Sequence, residues 1–443
     1  MAGVSRRGFL KTAGAVSAAV LSAPMFIPAR ALGKEGDIPA PSNRLTLGSI
    51  GVANQGGALQ GQVLGNGGVQ LLAVCDVDEP TRLKAKDRTE QRYGDALRSG
   101  RYKGCDPYMD FRELLARKDI DAVLIAVPDH WHALIAVAAA KAGKDIYCEK
   151  PLALTIREGR AMVDSVRRYG RVLQTGSMQR SSQEFRTACE AVRNGRIGKI
   201  KTVHVNVSGP SGPCTLPSEP IPPGMNWDMW MGPAPYRGFH KQIHPYNWRN
   251  FRDYSGGGMT DWGAHHFDIA QWALGMDDTG PVEITPPNGK DVKNLTYRYA
   301  NGTLMYHAAK IENHPPGREV REAKDPNEVY GVLFTGETGS IEVNRGYIKG
   351  WPDEVVKAPL RPDEMRLYKS TDHMGDWIDC IKTRRRPITD VEIGHRSATV
   401  CHLGNIAYWL KRPLQWDPGK EDFVDDAEAS RWLSRPYRGE WAL

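Results

Sequence analysis

The sequence predicts a doubly wound α/β sheet in its first half and, in its second, strands joined by glycine-containing turns. Three observations carry this. Continuous apolar runs alternate with helix-like stretches from residue 45 to 174, a glycine-rich turn follows the first run, and period-two alternation begins at residue 199. Strands that are apolar throughout belong to a parallel sheet covered on both faces.

The elements follow in order. Leu45–Ile50 is a short apolar strand ending in Gly51-Val52-Ala53-Asn54-Gln55-Gly56-Gly57, which opens a helix to about Asn66. Val69–Cys75 is the second strand and closes on Asp76. Residues 121–127 form a third, followed by an alanine-rich helix at 133–142 that stops at Gly143. Asp145–Cys148 is another strand, 155–169 a helix, and 171–174 the last strand of this half. Beyond it, 199–208 alternates with period two, as a strand buried on one face does. Further strands are read at 295–300, 303–309, 331–334 and 340–343. The Pro, Ser and Gly of 209–224 rule out a regular element there. The aromatics after it, Trp227, Trp230, Tyr246 and Trp248, suit a sugar face and equally suit a cover for the sheet.

Composition excludes other classes. The chain has 443 residues, of which 40% are hydrophobic and 25% charged, so collagen-like and wholly disordered readings fail. The net charge is +7, and Arg6, Arg7, Lys11 and Arg30 contribute four of those charges. What remains is no electrostatic footprint for nucleic acid. Seven cysteines without a C-x-x-C pair argue against a disulfide framework or zinc ribbon and for buried thiols. Arg6-Arg7 before a weakly apolar run ending in Ala29-Arg30-Ala31 reads as a twin-arginine export signal over 1–31, with a linker at 32–43. The expected location is periplasmic or otherwise exported, with the twin-arginine machinery as a partner.

Two motifs point to a dinucleotide. Gly51-x-Ala53-x-x-Gly56 is a G-x-G-x-x-G loop with alanine at its second position. Its first glycine makes the turn and its third lets the helix pack on the strand. Backbone N–H groups of Ala53, Asn54 and Gln55 and the helix N-terminus then face the phosphates. Asp76, 25 residues after Gly51, suits the two ribose hydroxyls and repels a 2′-phosphate, which favours NAD over NADP. Glu149-Lys150-Pro151 stands at the end of a parallel strand, where ligand chemistry in open α/β sheets lies. The like charge of an oxidised nicotinamide would loosen the Lys150 proton.

Farther on, Asp261, His265, Asp268 and Trp272 are spaced to share one helical face. A carboxylate one turn before an imidazole can orient it as an acid/base unit. Metal binding by His265, His266 and Asp268 is the other reading. Adjacent helical histidines diverge by roughly 100°, however, so no metal is expected.

Together the glycine loop with Asp76, the Val127-Pro128-Asp129-His130-Trp131-His132 turn, Glu149-Lys150-Pro151 and Asp261-x-x-x-His265 resemble the glucose–fructose oxidoreductase, inositol dehydrogenase and rhizopine-catabolism (Gfo/Idh/MocA) family. The resemblance runs from about residue 45 to about 418. It implies a Rossmann domain over 44–176, an α+β domain over 177–418 with a large, mostly antiparallel open sheet, and a tail at 419–443. It also implies NAD as cofactor, a sugar or cyclitol substrate, and a homo-oligomer (dimer or tetramer) built on the open sheet. Lys150, Asp261 and His265 map onto the family's catalytic set, and Pro128 and His132 onto cofactor-side positions. Exported NAD-dependent α-N-acetylgalactosaminidases are relatives in which the motif's lysine is replaced. Its presence here favours hydride transfer at a secondary hydroxyl, with the redox-neutral glycosidase as the alternative and a non-catalytic sugar- or cofactor-binding protein behind both.

Overall fold

The computed structural model describes residues 44–308 and 331–443, so the expected export signal and linker lie outside the described residues. The first half builds a six-stranded sheet from β1 (Leu45–Ile50), β2 (Val69–Cys75), β3 (Asp106–Tyr108), β4 (Ala122–Ile125), β5 (Asp145–Cys148) and β6 (Leu173–Thr175). All its pairings are parallel, in the order β3-β2-β1-β4-β5-β6. The strand order reverses between β1 and β4, and a crevice opens there beyond the carboxyl ends of the strands. The apolar runs end up buried on both faces: Leu47, Leu71, Val123 and Ile146 are fully enclosed.

The alanine-rich helix begins earlier than its composition suggests. It spans Asp129–Lys141, so Asp129, His130, Trp131 and His132 form its first turns. Pro128 caps it, with the fixed φ of proline compatible with a helix start. The 155–169 expectation was closer. The helix is Ile156–Arg168, with Thr155 and Glu158 closing a reciprocal capping box at its N-terminus.

The second half forms a nine-stranded sheet. Its strands are β7 (Ile200–Asn206), β8 (Glu283–Thr285), β9 (Leu295–Arg298), β10 (Leu304–Ala308), β11 (Gly331–Gly336), β12 (Ser340–Asn344), β13 (Tyr347–Trp351), β14 (Leu414–Asp417) and β15 (Asp422–Phe423). The order is β13-β12-β11-β7-β10-β9-β8-β14-β15, and only the β7–β10 pair is parallel. Helices Gln183–Arg193, Gly263–Leu274 and Val391–Leu410 cover one face, burying Val203, Val205, Met305 and Phe334 beneath them.

The two halves are interlocked. Helix His373–Thr383 comes late in the chain, yet Trp377 and Ile378 pack into the core of the parallel sheet beside Tyr147. Arg384, just past its end, donates to both oxygens of Asp145 at the start of β5. The C-terminal residues also return to the first half, where Trp441 meets Trp131 and Phe111 and the Tyr437 hydroxyl donates to Glu158. All seven cysteines are buried and unbridged.

Candidate active site

The crevice is a cavity of about 630 Å³ at the reversal point, walled by the glycine loop, the ends of β2, β4 and β5, and the Trp230–Arg249 and Asp261–His265 segments of the second half. Gly51 takes φ +77°, and a Cβ there would lie 2.5 Å from the Ala126 carbonyl oxygen. A Cβ on Gly56 would drive into the carbonyl oxygen of Gly51, so both positions require glycine. Ala53 caps helix Asn54–Leu64 without a side-chain hydrogen bond, which leaves the first-turn N–H groups for a ligand. Its methyl group lines the cavity with Asn54 and Gln55.

Asp76 accepts hydrogen bonds from the backbone N–H of Val52 (3.0 Å) and of Asp78 (3.1 Å). Burial pushes its carboxyl up, and these two donors work against that shift. Glu149 accepts from Gln55 Nε2 at 3.0 Å and from the Lys150 N–H at 3.2 Å, tying the end of β5 to the glycine loop. It too is raised by burial. These residues fit a dinucleotide: a cradle that only glycine permits, open amide donors for the phosphates, and an acid at the end of β2.

Lys150 Nζ donates to Asp261 Oδ1 at 2.6 Å and to the Asp261 carbonyl at 2.9 Å. Arg249 Nε stands 3.3 Å from the same Oδ1. Burial would raise Asp261, but Lys150 and Arg249 outweigh it and hold the carboxyl below its ordinary range. His265 lines the same cavity. Burial lowers its pKa well below the ordinary imidazole value, and the charges of Lys150 and Arg345 lower it further. The ring is therefore neutral near pH 7.

The structure corrects two expectations. The Asp261–His265 unit is not formed: Asp261 spends its carboxylate on Lys150 and Arg249, and His265 Nδ1 is buried without a partner. The reason is local. Asp261 ends the one-turn helix Gly258–Asp261, Trp262 interrupts, and a new helix starts at Gly263, so the i, i+4 geometry of one continuous helix is lost. Asp268 stays on one helix with His265 and Trp272, but its carboxylate is clasped by Arg180 Nε (2.9 Å) and Nη2 (2.8 Å) and by Ser397 Oγ (2.6 Å). His132 does not reach the cavity. Its ring nitrogens lie 2.8 Å from the Pro151 carbonyl and 2.9 Å from that of Val127, so the neutral ring sits between the two loops, its one N–H donating to one of these carbonyls, while Pro128 lines the wall. Among the described residues no cluster of three His, Cys, Asp or Glu has the arrangement of a metal site.

Three charged lining residues were missed. Asp129 lies in a turn the sequence had flagged; it is buried, accepts from Ser255 Oγ at 2.6 Å, and is pushed up to about 7 by burial. Arg249 sits beside aromatics already singled out. Arg345 stands in the β12–β13 turn and carried no sequence signal, because only the folding of the second sheet brings it to the cavity. The aromatic segment divides in two. Trp227 stacks on Trp230 within a buried cluster, whereas Trp230, Tyr246 and Trp248 line the cavity.

Comparison with known proteins settles the class. Residues 48–177 match the oxidoreductase family's NAD-binding Rossmann fold, and residues 208–443 match its C-terminal alpha/beta domain. The chain belongs to the Gfo/Idh/MocA oxidoreductase family. NAD is the cofactor of this family member. It is 32% identical over 212 residues to a protein named alpha-N-acetylgalactosaminidase from Shewanella oneidensis, and 31% identical over 210 residues to a glycosyl hydrolase family 109 protein from Shewanella sp. (strain ANA-3). Each match spans 45% of this chain and 45% of the relative, so it covers less than half of either protein. In structure the chain is similar to the WlbA dehydrogenase of Bordetella pertussis, solved with NADH and UDP-GlcNAcA (19% identity, TM-score 0.57). It is likewise similar to the aldose–aldose oxidoreductase of Caulobacter crescentus (18%, TM-score 0.57). Both cover 84% of this chain and 99% of the solved one, and at such identity they show a shared fold.

Proposed function

We propose that the protein oxidises a secondary hydroxyl of a sugar, glycoside or cyclitol and retains its NAD(H) through the cycle. The observation that carries this is the Lys150–Asp261 pair, at 2.6 Å, facing the same cavity as a neutral His265. Bound NAD supplies the hydride acceptor. The glycine loop and Asp76 hold the dinucleotide, and Glu149 fixes the loop to the end of β5. With Nδ1 buried, His265 takes the hydroxyl proton at Nε2. Lys150, held by Asp261, donates to the developing alkoxide. Burial together with Lys150 and Arg345 disfavours the imidazolium, so the ring gives the proton up to solvent water and returns to its neutral form.

A redox-neutral glycosidase is the second reading, favoured by the names of the Shewanella relatives. There bound NAD would take a hydride from the glycoside, the same residues would handle the protons as elimination occurs beside the keto group, and the hydride would then be returned. Lys150 supports the first reading, because the resemblance assigns a replaced lysine to the glycosidases.

The Arg6-Arg7 signal supports export of the folded, NAD-loaded protein, since a dissociating cofactor would be lost outside the cytoplasm. Assembly as a homo-oligomer through the open sheet belongs to the same reading; His204 and Tyr306 stack side by side on that sheet, away from the buried Val203 and Met305. The purified protein, given glycosides and no added NAD, separates the readings. A keto-sugar supports the oxidoreductase, and a free reducing sugar supports the glycosidase. A cofactor-free protein that works only on continuously supplied NAD would remove the retention claim.

A further inference from the structure

The charges around the reacting end of the cavity do not balance. Lys150, Arg249 and Arg345 line it as cations. Four carboxylates line the whole cavity, but Asp76 belongs to the glycine-loop end, where it is bonded to Val52. Glu149 is buried and engaged by Gln55 and the Lys150 N–H. Asp129 is buried and engaged by Ser255. Burial raises both of these acids, which reduces the negative charge they offer. Among the described lining acids only Asp261 is held below its ordinary range, and it is shared by Lys150 and Arg249.

Arg345 has no carboxylate partner among the described residues. Its Nε donates to Gln179 Oε1 at 3.1 Å, and its guanidinium carbon lies 4.6 Å from the Trp262 ring centre. These contacts fix the plane of the group and engage one of its five donors, and Arg345 is among the residues lining the cavity. Partial burial lowers its pKa, and the more distant charges of Asp261 and Glu149 offset part of that shift. Arg249 is held similarly, its guanidinium carbon 4.3 Å from the Trp248 ring centre and its Nη1 on the Tyr246 carbonyl at 3.1 Å. Two oriented guanidinium groups beside a neutral imidazole form a receptor for an oxyanion. A planar fork matches a carboxylate through two parallel hydrogen bonds.

We propose that the substrate is an acidic sugar, whose carboxylate is taken by Arg345 with help from Arg249 while its secondary hydroxyl faces Lys150 and His265. This rests on the function proposed above and narrows its substrate class. Substrate anions would also be drawn toward this end of the cleft, so association would weaken with ionic strength.

The test uses the full-length, NAD-loaded protein and titration calorimetry, which needs no turnover. The probes are D-glucuronate, D-galacturonate and D-mannuronate, each against its neutral aldose, with glucose 6-phosphate as the phosphate arm. At least one uronate should bind about tenfold or more tightly than its aldose, and 0.5 M NaCl should reduce the difference. Arg345→Gln should abolish that preference while binding of NAD is unchanged, and Arg345→Lys should restore only part of it. Equal binding of every acid and its neutral partner overturns the proposal, as does a preference that survives Arg345→Gln. Tighter binding of the phosphate than of every uronate overturns the carboxylate assignment. Preferential uronate binding without any change in cofactor absorbance would sink the hydride-transfer reading and leave this one standing.

Discussion

The Lys150–Asp261 pair offers the sharpest quantitative test, through a double-mutant cycle of Lys150→Met and Asp261→Asn. The 2.6 Å contact joins side chains that are 16% and 25% exposed. Exposed pairs contribute about 0–1 kcal/mol, and breaking a fully buried pair costs about 3–5 kcal/mol. This pair lies between, and Nζ makes a second bond to the Asp261 carbonyl. The expected coupling is about 2 kcal/mol. Lys150→Met should be the milder single change, because Asp261 keeps Arg249 at 3.3 Å. Asp261→Asn removes the carboxylate from both cations at once. Urea unfolding followed by tryptophan fluorescence gives the stability cycle, and single-turnover absorbance at the nicotinamide band gives the catalytic one. Hydride transfer should fall at least about 100-fold in Lys150→Met with NAD still bound. A coupling below about 0.5 kcal/mol, or transfer at the unsubstituted rate, would refute the assigned geometry and role.

Three further outcomes are expected. Gly56→Ala forces a methyl group into the Gly51 carbonyl and displaces the loop, so it should cost about 1–3 kcal/mol in unfolding and abolish NAD binding by calorimetry. Asp76→Ala removes the repulsion of a 2′-phosphate and should narrow the preference for NAD over NADP; equal affinities in the unsubstituted protein would show that Asp76 plays no such part. Stability should rise with pH between about 4 and 6.5. Burial lowers His130, His132, His373 and His402 to about 4 and His266 to about 3, and lowers His204, His244, His265, His307 and His395 as well. The unfolded chain therefore binds more protons in this window, and stability is lost as pH falls through it. Asp76, Asp129, Glu149, Glu158 and Asp268 are raised and act in the opposite sense, but they are half as many. A flat unfolding midpoint from pH 7 to 5 would contradict this.

Local chemistry made much of the fold legible. The strands Leu45–Ile50, Val69–Cys75 and Asp145–Cys148 were readable to the residue, because strands buried on both faces must be apolar throughout and turn residues bound them. The glycine loop was readable for a similar reason: Gly51 and Gly56 answer to contacts a few residues away or in the neighbouring strand. The helix at Asp129 was mistimed, since its first turns carry Asp, His and Trp residues that are buried by tertiary contact, not by helical patterning.

The site was divided in the same way. Sequence alone determined which residue types carry the chemistry: a cradle for NAD, an acid after the second strand, Lys150 at a strand end, and Asp261 and His265 far downstream. Only the tertiary structure decided their partnerships. The break at Trp262 gave Asp261 to Lys150 and Arg249 instead of His265. Burial made His265 neutral, and His132 was placed between two backbone carbonyls behind the cavity. A hairpin turn in the second sheet delivered Arg345. Spacing encodes contacts within one helix or strand, whereas the burial, charge and pairing of a side chain depend on what distant segments bring against it. In this protein, segments more than 100 residues apart form the reacting end of the cavity.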